Sequence, residues 1–360
     1  MRVVVSCGSR NWGGLERMAE LLARGLGRRG HDVVLFCRRD SPLHRTLASE
    51  VPCEPILGGG DLHPRTVWRC ARALDRHRAE IVLANTVKDP RWTGVAARLK
   101  GIPVVYRQEI DEPYPNSPLH RLVYGWVPAR HVVNSEATRG TVLRSAAWVR
   151  PEEVVVIPNG VDLEALRSAA PAELGLPDGA VLFGFVGRWE ERKGIRELAG
   201  AWRRVAEALP RAHLAIVGWG AMEQEFRGWL EGAPNVRWLG FRDDVPSVMA
   251  AMDVLVAPSH YEGFGLVVVE AMAVGTAVIG ARASSIPELV DERVEGVLVP
   301  PKDPAALAEA MIELGGDAGL RERMGAAGRA RAERDFSLER MLDRHEALFE
   351  DVLRSRAGRR

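Results

Sequence analysis

Residues 253–273 read DVLVAPSHYEGFGLVVVEAMA: a short apolar run, a loop holding Gly263 and Gly265, and an apolar stretch that opens a helix. A strand that enters a glycine loop and leaves as a helix is the repeating unit of a doubly wound α/β sheet. The unit recurs outward in both directions. Upstream lie VRWLG (236–240), HLAIVG (213–218) and VLFGFVG (181–187), with helical spacing over Arg196–Leu209, and downstream lies AVIGA (277–281). Nearer the N-terminus the same alternation runs through VVVSC (3–7), VVLF (33–36), IVLAN (81–85), PVVYR (103–107), HVVNS (131–135) and VVVI (154–157). Between these runs, Leu15, Met18, Leu21, Leu22 and Leu26 keep helical spacing, as do residues 65–78 and 93–100.

Two α/β halves follow, each Rossmann-like with a parallel sheet. The turn-rich Asn159-Gly160-Val161-Asp162 marks their boundary, giving domains 1–160 and 161–337. The length of 360 residues agrees with two domains. Ligands of such sheets sit at the carboxyl ends of strands, so a site in a cleft between the halves is expected.

With 46% hydrophobic and 27% charged residues the chain is an ordinary globular sequence, far from the composition of disorder. Its net charge of +1 hides a split: residues 1–150 carry +10 and residues 151–360 carry −9. Such asymmetry points to an anionic partner for the first half. Only Lys88, Lys100, Lys193 and Lys302 are lysines among 49 cations, a bias read as that of a GC-rich, bacterial genome and not as a nucleic-acid code. Cys7, Cys37, Cys53 and Cys70 show neither disulfide nor zinc spacing, which fits a reducing compartment. Val3-Val4-Val5 is too short for a signal-peptide core, and Leu266–Ala281, broken by Glu270, falls short of a membrane span. A cytoplasmic protein is expected, at most peripheral on the membrane's inner face.

The loop of the opening stretch suits a phosphate or diphosphate, because backbone N–H groups at a helix N-terminus bind anions. Glu262 precedes that helix and Glu270 lies within it. Carboxylates beside a phosphate site are costly unless they hold neutral hydroxyls, so sugar or ribose hydroxyls are their natural partners. Two glutamates at this spacing could equally be solvated surface charge, but an unpaired charge inside LVVVEAMAV would be expensive. Gly187-Arg188-Trp189-Glu190-Glu191-Arg192-Lys193-Gly194 follows another strand, and Arg188 and Lys193 stand where an anion would bind. The alternative there is a charged loop facing water. Gly13-Gly14 opens a helix without the full dinucleotide fingerprint and could serve the turn alone.

Taken in order, GGLE, NGVD, GRxxxxKG, IVGWG, GF and PSxxEGFGxxxxEAMAxG, followed by IPELV (286–290) and GVLVPPKD (296–303), resemble the retaining glycosyltransferases of family 4 with the GT-B fold. The likeness spans nearly the whole chain and is densest from Val186 to Asp303. It implies that Arg188 and Lys193 hold the diphosphate of a nucleotide-sugar donor and that Gly263, Phe264, Gly265 and Leu266 contact sugar and phosphate. By the same likeness Glu262 takes sugar hydroxyls, Glu270 takes the ribose, Phe241 and Arg242 lie beside the base, and Gly14 lets the backbone approach the diphosphate. Catalysis would rest on Arg188, Lys193 and Glu262. The implied reaction retains anomeric configuration and needs neither metal nor cofactor, the donor being a substrate. The helix over Leu338–Val352 would pack back onto the first domain, and the basic tail Arg354–Arg360 is expected to fray.

The sequence departs from the family after PVVYR, where many relatives carry a histidine and this chain has Arg107, Gln108 and Glu109. The acceptor side, assigned to the first domain, offers Lys88, Arg91, Arg107, Glu109 and Arg121 near strand ends, which suggests an anionic glycan or glycolipid acceptor of bacterial surface polysaccharide or lipopolysaccharide synthesis. Those arginines could also be ordinary solvating charge, and Arg107 a surface charge at a strand end. Trp189 and Trp219 could line the donor pocket or serve packing. A nucleotide-sugar epimerase or phosphorylase, or a non-catalytic nucleotide-sugar binder, would share much of this pattern; nucleic acid is not an expected partner.

Overall fold

The computed structural model describes residues 1–357, which form two compact units, one of residues 1–160 with the chain from Leu338 onward, the other Val161–Ser337. The first holds β1 (Arg2–Cys7), β2 (Asp32–Cys37), β3 (Cys53–Glu54), β4 (Ile81–Ala84), β5 (Val104–Gln108), β6 (Arg130–Val133) and β7 (Val154–Val156), all parallel, in the order 3-2-1-4-5-6-7. The second holds β8 (Val181–Val186), β9 (Ala212–Val217), β10 (Val236–Gly240), β11 (Val254–Ala257), β12 (Ala277–Ala281) and β13 (Gly296–Val299), also parallel, in the order 10-9-8-11-12-13. In each sheet the order reverses beside the first strand, the switch point at which such folds bind ligands.

Central strands such as VVVSC and VLVA are buried on both faces, which is why they read as unbroken apolar runs and not as alternation. Two strands lack that signal. β3 has only two residues and earns its place by hydrogen bonds to β2, while β13 begins at Gly296, whose Cβ position lies 2.3 Å from the Val278 carbonyl oxygen.

The last helix, Leu338–Ala357, belongs to the first unit. Arg29 reaches Asp343 and Glu346 at 2.6 Å each, and Gly25 leaves room for Leu342. The expectation of a frayed tail from Arg354 is corrected by this helix, which carries Arg354 and Arg356 in its last turn; residues 358–360 lie outside the described residues. Among the described residues no helix is long and apolar enough to cross a membrane.

Candidate functional site

In the second unit the loops leaving β8, β9 and β11 meet backbone to backbone. Gly194 adopts φ +69° and its Cβ position lies 2.1 Å from the Pro258 carbonyl oxygen; Gly218, at φ +121°, would clash with the Gly187 carbonyl at 1.9 Å. Neither position tolerates a side chain, so glycine is what allows the three loops to share one corner. Backbone bonds from Trp189 N–H to the Trp219 carbonyl (3.0 Å) and from His260 N–H to the Arg192 carbonyl (2.8 Å) close it.

Glu262 is buried there. Lys193 Nζ donates to its Oε1, Ser259 donates to the same oxygen at 2.8 Å, and Arg192 Nη1 stands 3.8 Å from the other oxygen. Behind the loop, fully buried Ser285 donates to the Phe264 carbonyl at 2.8 Å and lies 3.2 Å from that of Glu262. The helix Leu266–Val274 then starts from Gly265 without a side-chain cap, an N-terminus of the kind that can take an anion. Glu270, in its second turn, is half-buried on a helix whose neighbouring residues are apolar and buried.

Arg188 is exposed and pairs with Glu190 at 3.0 Å; Glu190 also accepts from Arg192. Gly263 and Leu266 are half-buried and Phe264 is buried. Phe241 stands exposed after β10, Arg242 is forked onto Asp244, and the Gly240 carbonyl accepts from Gly218 N–H at 2.8 Å, which links this loop to the corner. The two tryptophans divide: Trp189 is core, edge-on to Phe226 and Trp238, whereas Trp219 is exposed.

In the first unit Gly14 is exposed as the first residue of the helix Gly14–Arg28. Arg107 is not a surface charge beyond its strand. It lies inside β5 at 1% exposure, paired with Glu109 and donating to Asn85 (3.2 Å) and Asn159 (2.9 Å). Burial lowers its pKa, and the charge of Glu109 opposes that shift. Asn159 and Asn134 in turn donate to Glu109. Arg91 is likewise buried, in a turn with Asp61 and His120, while Lys88 and Arg121 are exposed. Gln108 is buried with Tyr106 Oη 2.9 Å away.

Sequence reasoning gave no role to Ser259, Ser285 or the three asparagines, although Ser259 and Asn159 stand inside PSxxEGFG and NGVD, since a single small polar residue carries no spacing signal of its own. It also missed Asp89, fully buried beneath the loops after β1 and β4, where it accepts from Gly8, Asn85 and Thr86 N–H groups. Burial pushes its pKa up to about 6 against those bonds.

Two parallel-sheet units, each with polar residues gathered at its carboxyl edge, define the GT-B class. The glycosyltransferase family 4 model matches residues 12–165 and the model described as glycosyl transferases group 1 matches residues 180–317. The chain belongs to the family 4 glycosyltransferases. It is 39% identical over 196 residues to phosphatidyl-myo-inositol mannosyltransferase of Mycobacterium tuberculosis, covering 52% of this chain and 51% of that one. It is 35% identical over 261 residues to D-inositol 3-phosphate glycosyltransferase of Segniliparus rotundus, covering 67% and 57%. The chain thus spans about half the length of the curated relatives it matches. In fold it is similar to Anabaena HepE, solved in complex with UDP, with a TM-score of 0.84 and 22% identity over 98% of this chain and 100% of that one.

Proposed function

We propose that this chain transfers a sugar from a nucleotide-diphosphate donor to a hydroxyl of a glycan or glycolipid, with retention of anomeric configuration. The observation that carries this reading is the corner of the second unit, where Lys193 bonds Glu262 beside an uncapped helix N-terminus at the carboxyl ends of β8 and β11, with exposed Arg188 on the same loop as Lys193. The helix N–H groups and the two cations take the diphosphate, and their charge neutralises it as it leaves. That supply of positive charge lets transfer proceed without a divalent ion, so turnover persists in EDTA. Lys193 exchanges part of its bond to Glu262 for phosphate oxygen, which frees that carboxylate for sugar hydroxyls. Glu270 holds the ribose, and Phe241 and Arg242 border the base.

The acceptor hydroxyl attacks the anomeric carbon from the face the diphosphate leaves. The C–O bond to phosphate breaks, the new C–O bond forms, and the hydroxyl proton passes to the departing phosphate oxygen. Two relatives named for phosphatidyl-myo-inositol and inositol 3-phosphate support a phosphate-bearing acceptor, within bacterial surface glycan or glycolipid assembly. The first unit, with net charge +9 on residues 1–160 and 338–360, is its side.

A panel of UDP-, GDP- and ADP-sugars tests the donor half. The matching donor at about 100 times its Kd raises stability by ~2.7 kcal/mol, and NMR of the product made from it shows the donor's anomeric configuration. Thermal stabilisation by none of them, or an inverted product, overturns the reading.

A further inference from the structure

The charge asymmetry has a structural address. In the first unit the helices Pro64–Arg76, Thr93–Leu99 and Pro118–Trp126 precede β4, β5 and β6, and right-handed crossovers toward successive strands on one side of β1 lay them on one face of the sheet. Direct contacts tie them into one layer. Lys100, just after the second helix, pairs with Asp75 of the first, and Arg98 of the second donates to the Trp126 carbonyl of the third at 3.1 Å.

The outward side of this layer is unusual in two respects at once. It exposes Trp68 (57%), Leu99 (70%), Leu122 (64%) and Trp126 (42%), large apolar groups that folding alone would have buried. Around them stand Arg65, Arg69, Arg72, Arg98, Lys100 and Arg121, all exposed. Among the described residues only Lys100 of these six is paired with a carboxylate, and Asp75 is the sole acidic residue on the three helices. Two of the cations sit over the indoles themselves, Arg72 above Trp68 at 5.0 Å and Arg98 above Trp126 at 5.6 Å from the ring centroids.

We propose that this helical layer is a docking surface for an anionic lipid bilayer. Indole rings settle at the level of lipid headgroups, apolar Leu99 and Leu122 enter the acyl boundary, and arginines reach headgroup phosphates while their stems cover apolar surface. Uncompensated cations supply the attraction to a negative leaflet. Nucleic acid would use the charge but gains nothing from two exposed leucines, and a second copy of this chain would bring the same positive face against itself. The surface stands independently of the glycosyl-transfer reading, because docking requires no donor and no turnover.

The test is co-sedimentation of the full chain with vesicles of phosphatidylcholine alone and of phosphatidylcholine mixed with phosphatidylglycerol, in low and high salt. Binding to the mixed vesicles only, weakening as salt shortens the screening length, is the expected result. The triple variant R65E/R69E/R72E lowers partitioning on the order of a hundredfold or more, and W68S/L122S/W126S lowers it at unchanged net charge. Both sets lie on the surface; circular dichroism and unchanged thermal unfolding show that each variant is folded, and L99S replaces the triple if W126S unsettles the helix. Absence of vesicle binding, equal binding by the folded variants, equal binding to neutral vesicles, or dimerisation through this face overturns the proposal, as does tighter binding to RNA than to the anionic vesicles.

Discussion

Lys193 and Glu262 are in contact, and under the proposed reading this one contact ties donor binding to stability. Their side chains are 14% and 10% exposed, so neither charge is well hydrated when its partner is removed. Lys193→Ala leaves Glu262 with Ser259 at 2.8 Å and Arg192 at 3.8 Å, a weaker shell for a buried carboxylate. The single variant is expected to lose roughly 1–3 kcal/mol. The double variant with Glu262→Ala then falls short of the sum of the singles by about 1–3 kcal/mol in urea unfolding, the signature of a coupled pair. Additive losses would show that the two do not interact. Activity separates from stability: K193A lowers kcat/KM for the donor about 10²–10³-fold, because it removes positive charge from the leaving diphosphate.

At the scale of elements the fold depends on three loops sharing a corner too narrow for a Cβ. Gly194→Ala places a methyl in a left-handed conformation 2.1 Å from the Pro258 carbonyl, so backbone must move. A loss above about 2 kcal/mol is expected, together with loss of donor-induced stabilisation. Gly228→Ala, in the helix Glu223–Trp229 with open space around it, is expected to stabilise by up to ~1 kcal/mol. Equal thermal shifts for the two would remove the corner from the account. This contrast also marks what the sequence could convey. Runs such as VLFGFVG and DVLVAP announce buried parallel strands because both faces are covered, and GRxxxxKG and EGFG carry the proposed phosphate site as a legible pattern because glycines and charges keep short spacing. The two-residue β3, the pairing of Lys193 with Glu262 across 69 positions, and the support of the Phe264 loop by Ser285 depend on tertiary neighbours, to which no local pattern points. Arg107 illustrates the same limit. Its charge was visible, whereas the Asn85, Asn159 and Glu109 that let it be buried come from two other strand ends and its own.

For the molecule as a whole, the two units differ in charge, and acid has a defined point of attack in the first. The first carries two fully buried histidines. His131 lies against Tyr114 Oη at 3.0 Å, and burial lowers its pKa to about 4. His345 is lowered to about 3, by burial first and then by the nearby Arg107 charge. Its Nδ1 lies 2.8 Å from the Met341 carbonyl, which can only accept, so Nδ1 bears the proton of the neutral ring. An unfolded histidine titrates near ~6.5. Between that value and the folded ones the unfolded chain binds more protons, so stability rises with pH and is lost as pH falls from about 6.5 toward 4 and then 3. Asp89 acts oppositely: with a folded pKa near 6, it favours the fold as pH falls from about 6 to its unfolded value. Two depressed histidines outweigh one raised aspartate, and the net acid loss amounts to a few kcal/mol on the order expected for such shifts. Hydrogen exchange read separately on β6 and on the helix Leu338–Ala357 measures this within the first unit. Protection is expected to fall between pH 6.5 and 4, allowing for the intrinsic pH dependence of exchange. His345→Leu, which keeps the volume apolar, should flatten that fall and His131→Phe should flatten it further, whereas Asp89→Asn should steepen it. An unchanged slope in H345L would mean that His345 is already charged in the folded chain.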